Sequence, residues 1–164
     1  MKTLLLIRHA KSSWDHVSIS DFERPLNERG KHDADLMAGR IKDKKVNIDI
    51  FISSPAKRAR KTAEFFLKKF DENRNSLIQI SALYEASLSN YYDVIENLND
   101  KFESVALFAH NPGITDFVNT LGCSTIDNMP TCAVYAVKIK TSKWGDFKKS
   151  EKEFLFFDFP KNQN

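Results

Sequence analysis

The sequence predicts an α/β fold: a three-layer α/β/α sandwich with a mostly parallel central sheet and a ligand cleft at the carboxyl edge of its strands. Three observations lead there. Short apolar runs at Leu4–Ile7, Ile48–Ile52 and Val105–Ala109 have the composition of strands buried on both faces. Each is followed, directly or after a loop, by a segment whose apolar residues recur at i, i+3, i+4 and i+7, the period of a helix with one buried face. Strands and helices alternate with no internal repeat, low-complexity tract or linker, so residues 1–164 read as one domain.

The bulk properties fit. A chain of 164 residues can bury roughly 70% of its unfolded surface. Hydrophobic residues at 41% and charged residues at 29% are ordinary for a soluble protein. A net charge of +3 is too small to argue for nucleic acid or membrane, yet it suits an anionic ligand if focused in one cleft. Cys123 and Cys132 lack metal-ligand or redox spacing and read as reduced thiols of a cytoplasmic protein. The first apolar run is too short for an export signal, and no run reaches transmembrane length.

Taken in order, the first strand stops abruptly at Arg8-His9. Lys11 to Leu26 then forms a long loop, with Trp14 and Phe22 as anchors. Asn27 is a natural N-cap for a helix to about Lys44, with Ala34, Met37, Ala38 and Ile41 on its buried stripe. Ile48–Ile52 is the second buried strand and runs into Ser53-Ser54-Pro55. Serine at the cap and proline at the first helical position open a helix with Ala59, Ala63, Phe66, Leu67 and Phe70 on one face. A polar turn and a short strand, Leu77–Ile80, follow. Ser89 begins a helix carrying Tyr91, Val94, Ile95, Leu98 and Phe102. Val105–Ala109 ends at His110-Asn111-Pro112-Gly113, where a capping residue and a proline open a helix that closes at Gly122. Cys132–Ile139 and Phe154–Phe159 read as a hairpin around a solvated, lysine-rich turn, Thr141–Lys152.

Three of these strands end on residues that can do chemistry: Arg8-His9, Ser54-Pro55 leading to Arg58, and His110. If the strands are neighbours, these groups meet at one sheet edge, where open α/β folds place their ligands. Arg58 falls in a first helical turn, where unpaired N–H groups already favour an anion. One surface arginine would mean little, but two arginines, two histidines and a helix N-terminus together describe a phosphate or sulfate site. Neighbouring guanidinium groups disfavour imidazolium, so His9 should be neutral near pH 7. No metal-ligand spacing links the four histidines; His16 and His32 have no partner pattern, and neither metal nor cofactor is expected. The aromatics Trp144 and Phe147 are too few to turn the late lysines into a nucleic-acid surface.

Leu6-Ile7-Arg8-His9, Ser54-Pro55-Ala56-Lys57-Arg58-Ala59 with Lys61-Thr62-Ala63, and His110-Asn111-Pro112-Gly113 resemble the histidine phosphatase superfamily. The short length and Asp21-Phe22-Glu23-Arg24-Pro25-Leu26-Asn27-Glu28-Arg29-Gly30 are most similar to its SixA-type phosphohistidine phosphatase branch. The motifs run from about residue 4 to residue 121 in the family's order. Ala10 and Ala109 stand where glycine is frequent, and Lys61 where glutamine is common. The resemblance implies that His9 is the nucleophile and that Arg8, Arg58 and His110 hold the phosphoryl oxygens. A proton donor is also needed: Glu85 is the first choice and Asp21 the second. Arg24, on the loop beside Pro25, is expected to reach the phosphate from a mobile rim and sense its carrier. Asp21, Ser12 and Asn111 are also assigned to substrate contact. The implied activity is metal-independent hydrolysis of phosphohistidine in a protein. A small phosphate ester or another phosphoprotein is the alternative substrate, and a non-catalytic phosphate-binding module is the alternative class.

Overall fold

The computed structural model describes residues 1–15 and 18–162, so His16 lies outside the described residues. Its sheet has six strands: β1 (Lys2–Arg8), β2 (Ile50–Ser53), β3 (Ile78–Gln79), β4 (Ser104–Ala109), β5 (Val134–Ile139) and β6 (Lys152–Asp158). Their order is β3-β2-β4-β1-β5-β6, with the first four parallel and the last two antiparallel. The three strands that end in chemistry are therefore neighbours. Arg8 is level with Ala109, and Ser53 with Phe108, so the next residues, His9, His110 and Ser54, emerge along one edge.

Helices α1 (Glu28–Asp43) and α2 (Lys57–Lys69) cover one face of the sheet, and α3 (Leu88–Glu96) and α4 (Gly113–Asn119) the other. This explains why β1 is uniformly apolar. Leu5 and Ile7 pack with Met37 and Phe66, while Leu4 and Leu6 pack with Tyr91 and Phe117. All four β1 side chains are fully buried, each contributing about 1.5–3 kcal/mol relative to exposure.

Several boundaries move for identifiable reasons. Asn27 caps α1 as expected, its carboxamide oxygen accepting from Gly30 N at 2.8 Å. Ser54 and Pro55 precede α2, whose N-cap is Ala56; the Ser54 hydroxyl accepts from Ala56 N at 3.2 Å and also meets His110 Nε2 at 2.7 Å. Ser87, rather than Ser89, caps α3 in a reciprocal box with Asn90. That helix ends at Glu96, so Leu98 and Phe102 pack against the core from beyond it. Pro112, rather than Asn111, is the N-cap of α4, and Gly122 follows the helix at φ +75°. The short strand shrinks to Ile78–Gln79 at the sheet edge, and both its residues are exposed. Strand β5 starts two residues after Cys132, which has φ +61°.

The lysine-rich turn is not wholly solvated. Trp144 and Phe147 are fully buried and unavailable for base stacking, and Trp144 Nε1 donates to Phe102 O at 2.8 Å. The same carbonyl accepts from Lys2 Nζ at 3.0 Å. Lys2 is itself fully buried, with Asp100 O at 2.5 Å and Glu103 Oε1 at 3.0 Å as further acceptors. Three acceptors make burial of an ammonium tolerable, whereas the sequence would place it at the surface.

The two ends of the loop 11–26 are tied together. Its neck is closed by a bridge between Ser12 and Leu26 and by Asn27 N donating to Lys11 O at 3.0 Å. Gly30 lets α1 approach this neck, since a Cβ there would lie 2.1 Å from Lys11 O. Gly30→Ala should therefore destabilise the protein by about 1–3 kcal/mol, as overpacking does. It should also lower activity by displacing the loop. Chemical denaturation with parallel kinetics checks both; an unchanged midpoint would mean that the neck can relax.

Candidate active site

His9 immediately follows β1. Its backbone N–H donates to Ala109 O at 3.1 Å, and its carbonyl accepts from Cys132 N at 3.0 Å. The next residue, Ala10, donates to Thr62 Oγ1 at 2.9 Å, and that hydroxyl donates to Arg58 O at 2.7 Å. Thr62 thus joins the backbone next to His9 to the first turn of α2. In the ring, Nδ1 lies 2.7 Å from Ala10 O. A carbonyl can only accept, so Nδ1 carries the proton and the lone pair is on Nε2. Burial, opposed by the Ala10 contact and reinforced by His110, Arg58 and Arg8, holds the His9 pKa well below the usual histidine value.

His110 lies beside it, ring centroids 5.2 Å apart. Its Nε2 is 2.7 Å from Ser54 Oγ, and its Nδ1 is buried without a protein partner. Burial and then Arg58 push its pKa down to about 3. Both histidines are therefore neutral in the fold at pH values where free histidine is charged. Below about pH 6.5 the unfolded chain binds protons that the folded chain refuses, so these residues reduce stability as pH falls.

Three guanidinium groups converge here. Arg8 Nη1 donates to Met129 O at 2.9 Å. Arg58 donates through Nη1 to Asp21 O at 2.6 Å and through Nη2 to Asp21 Oδ2 at 3.0 Å. Arg24 donates to Ser12 Oγ, has Asp21 Oδ1 at 3.6 Å, and stacks on Trp14 with its central carbon 3.4 Å from the ring centroid. The Nε atoms of all three arginines are buried and unpartnered, as is His110 Nδ1. Burial and then Arg58 lower the pKa of both Arg8 and Arg24. These mutually repelling cations, with orphaned donors among them, favour an oxyanion.

Arg24 and Ser12 thus take different places from those expected. Arg24 is buried and held on three sides, so it is a fixed part of the site rather than a mobile rim. Ser12 is the acceptor that fixes it. Trp14 does not anchor the loop in the core; its ring is 76% exposed.

Asp21, Arg58, Tyr84, Glu85, His110 and Asn111 line an open cleft of about 560 Å³. Tyr84, the residue before Glu85, donates to Asp21 Oδ2 at 2.7 Å and sets its ring edge-on to His110 and Phe22. Burial raises the Asp21 pKa, but the Tyr84 hydroxyl, Arg58 and Arg24 outweigh it and hold the carboxylate below its usual range. An ionised, committed Asp21 positions Arg58 and is poorly suited to donate a proton. Glu85 is exposed at φ +55° and makes no ion pair among the described residues.

The Asn111 side chain has both its donors engaged within the protein. Its Nδ2 donates to Asn128 Oδ1 at 2.7 Å and Met129 O at 3.1 Å, and its Oδ1 accepts from Thr115 Oγ1 at 2.6 Å. Thr115 Oγ1 also accepts from Met129 N at 3.0 Å. Asn111 and Thr115 therefore fix the Met129 carbonyl that Arg8 grips. Thr115 lies four residues after Asn111, a spacing the sequence displays. Thr115→Val should cut kcat/KM about 10- to 100-fold by misplacing Arg8, and Thr115→Ser should restore it. Full activity in the valine variant would contradict this bracing.

A model of the histidine phosphatase superfamily (branch 1) matches residues 4–127. An uncharacterized chloroplastic protein of Arabidopsis thaliana is 24% identical over 151 residues, covering 87% of this chain and 69% of its own length. A 2,3-bisphosphoglycerate-dependent phosphoglycerate mutase of Bartonella henselae is 33% identical over 95 residues, or 57% of this chain; the match spans only 45% of the mutase. In fold, the chain is similar to the protein histidine phosphatase SixA complexed with tungstate, with TM-score 0.82, 24% identity, and coverage of 96% of this chain and 97% of that one. A mycobacterial glucosyl-3-phosphoglycerate phosphatase aligns at TM-score 0.72 and 13% identity, covering 95% and 98%. With the family model covering most of its length and its residues meeting in this geometry, the chain belongs to branch 1 of the histidine phosphatase superfamily.

Proposed function

We propose that the protein is a metal-independent phosphohydrolase that removes the phosphoryl group from phosphohistidine in a protein, with His9 as the nucleophile. The observation that carries this reading is the state of His9: buried, neutral, its proton held on Nδ1 by Ala10 O and its Nε2 lone pair free. A module that merely binds phosphate has no use for that arrangement.

In the first step the Nε2 lone pair attacks phosphorus, a P–N bond forms, and the substrate's P–N bond breaks with its electron pair going to the leaving imidazole. Arg8, Arg24, Arg58 and His110 Nδ1 stabilise the charge on the phosphoryl oxygens. They do the neutralising that a metal ion does in other phosphatases. Glu85 protonates the leaving nitrogen or oxygen, Asp21 being held ionised. Water then attacks the phosphorylated His9 and gives its proton to Glu85, releasing phosphate and restoring the imidazole.

The similarity to phosphoglycerate mutases gives a phosphate ester substrate a specific footing as the second reading. The open cleft favours a bulky carrier, and the free thiols Cys123 and Cys132 support a reducing, cytoplasmic setting.

The test compares wild type, His9→Ala and Glu85→Gln on a histidine-phosphorylated peptide, an aryl phosphate and an alkyl phosphate, with a chelator present. Wild type should favour the peptide. His9→Ala should retain less than about a hundredth of the activity while still binding inorganic phosphate. Glu85→Gln should lose about 100-fold or more on the alkyl ester and far less on phosphohistidine, whose leaving group is better. Preference for the alkyl ester would favour the second reading; loss of wild-type activity with the chelator would reveal a metal requirement.

A further inference from the structure

We propose that the cleft next to the catalytic one docks an acidic segment of the protein that carries the phosphoryl group, a reading that rests on the phosphoprotein function proposed above. This second cleft, about 780 Å³, is the larger of the two and lies among the loop 11–26 and the first turns of α1 and α2. Arg29, Lys31, Lys57 and Lys61 line it, against two carboxylates, Asp15 and Glu28; Lys31 is paired with Glu28 at 3.1 Å and Arg29 with Asp33 at 3.6 Å, so docking rests on Lys57 and Lys61.

The placement of these cations runs against the helix. α2 begins Lys57-Arg58-Ala59-Arg60-Lys61, four cations with no acidic residue in its first turn and no side-chain cap. Cations at the positive end of a helix dipole destabilise it. Arg58 faces the catalytic cleft, and Arg60 Nε donates to Pro55 O at 2.9 Å. Lys57 and Lys61 turn to the second cleft instead. Lys61 shares its charge with Glu64 at 3.2 Å; Lys57 makes no ion pair or hydrogen bond among the described residues. Sites that violate a local rule in this way are where function is to be sought, and charge complementarity here selects an anionic polypeptide.

The two clefts adjoin. Lys57 precedes Arg58 of the first cleft, while Ser13 and Pro25 on the second are chain neighbours of Ser12 and of Arg24, which lies 3.6 Å from the Asp21 carboxylate of the first. A segment in the second cleft therefore continues into the side chain whose phosphoryl group His9 attacks. Trp14, 76% exposed and backed by Arg24, stands between Ser13 and Asp15 and offers the aromatic contact typical of protein-binding hot spots.

The experiment uses two fluorescent peptides with one central histidine, flanked by Glu and Asp in one and by Gln and Asn in the other. Binding is measured unphosphorylated, with inorganic phosphate present in both series to occupy the catalytic cleft, and turnover is measured after phosphorylation of the histidine. The acidic peptide should bind about tenfold tighter, and the difference should vanish by about 0.5 M salt. Lys57→Gln/Lys61→Gln should weaken acidic-peptide binding by about fivefold or more while leaving p-nitrophenyl phosphate hydrolysis unchanged. Equal binding of the two peptides, or an undiminished acidic preference in the double variant, overturns the docking proposal. Turnover separates the two claims: acidic peptides that bind but are never hydrolysed would leave the docking site standing and remove phosphohistidine as substrate.

Discussion

Three guanidinium groups share one small space with the Asp21 carboxylate, and the rest of the site follows from keeping them there. Like charges repel most strongly where water is scarce, so each arginine is held by a fixed oxygen. Arg8 is held by the Met129 carbonyl, Arg24 by Ser12, and Arg58 by the backbone and side chain of Asp21. The parallel strands bring these groups to one edge, and the closed neck of the 11–26 loop returns Asp21 and Arg24 to it. Asp21 eases the repulsion among the three without cancelling their charge.

This surplus of positive charge decides the protonation states around it. A histidine buried among guanidiniums cannot also carry a proton charge, so His9 and His110 are neutral and can serve as a nucleophile and a hydrogen-bond donor. The Asp21 carboxylate is driven the other way and stays ionised. One field thus keeps an imidazole neutral, favours an oxyanion and makes the nearer carboxyl poorly suited as an acid, which is why the proposed mechanism gives that role to Glu85. The acid limb of stability comes from the same source, because folding excludes protons that the free imidazoles would accept.

What the sequence reveals and what it hides have physical reasons. Arg8, His9 and His110 were legible because each terminates a strand buried on both faces, and such strands have an unmistakable composition. Arg58 was legible from the Ser54-Pro55 signal, although that signal was read too simply. Ser54 and Asn111 sit where helix caps are expected, yet α2 and α4 begin later; the Ser54 hydroxyl holds both Ala56 N and His110, and the Asn111 carboxamide serves Met129. Local rules fail where residues are spent on function. Arg24 and Ser12 were expected at the site, but the burial of Arg24, its hold by Ser12 and the contact of Tyr84 were opaque because a loop has no periodicity to announce burial. Their roles exist only once residues 12, 21, 24 and 84 meet in space. Lys2 was hidden for the same reason, its three acceptors lying about a hundred residues away in sequence.

The central claim is that this field holds His9 neutral, with its proton on Nδ1 and Nε2 free to attack. Nitrogen-15 NMR of the imidazole rings, followed from pH 8 to pH 5 with His9→Ala used to assign the signal, tests it directly. The account predicts a single neutral Nδ1–H form for His9 that does not titrate across this range. A His9 that gains a proton near the free value of about 6.5, or that carries its proton on Nε2, would contradict it.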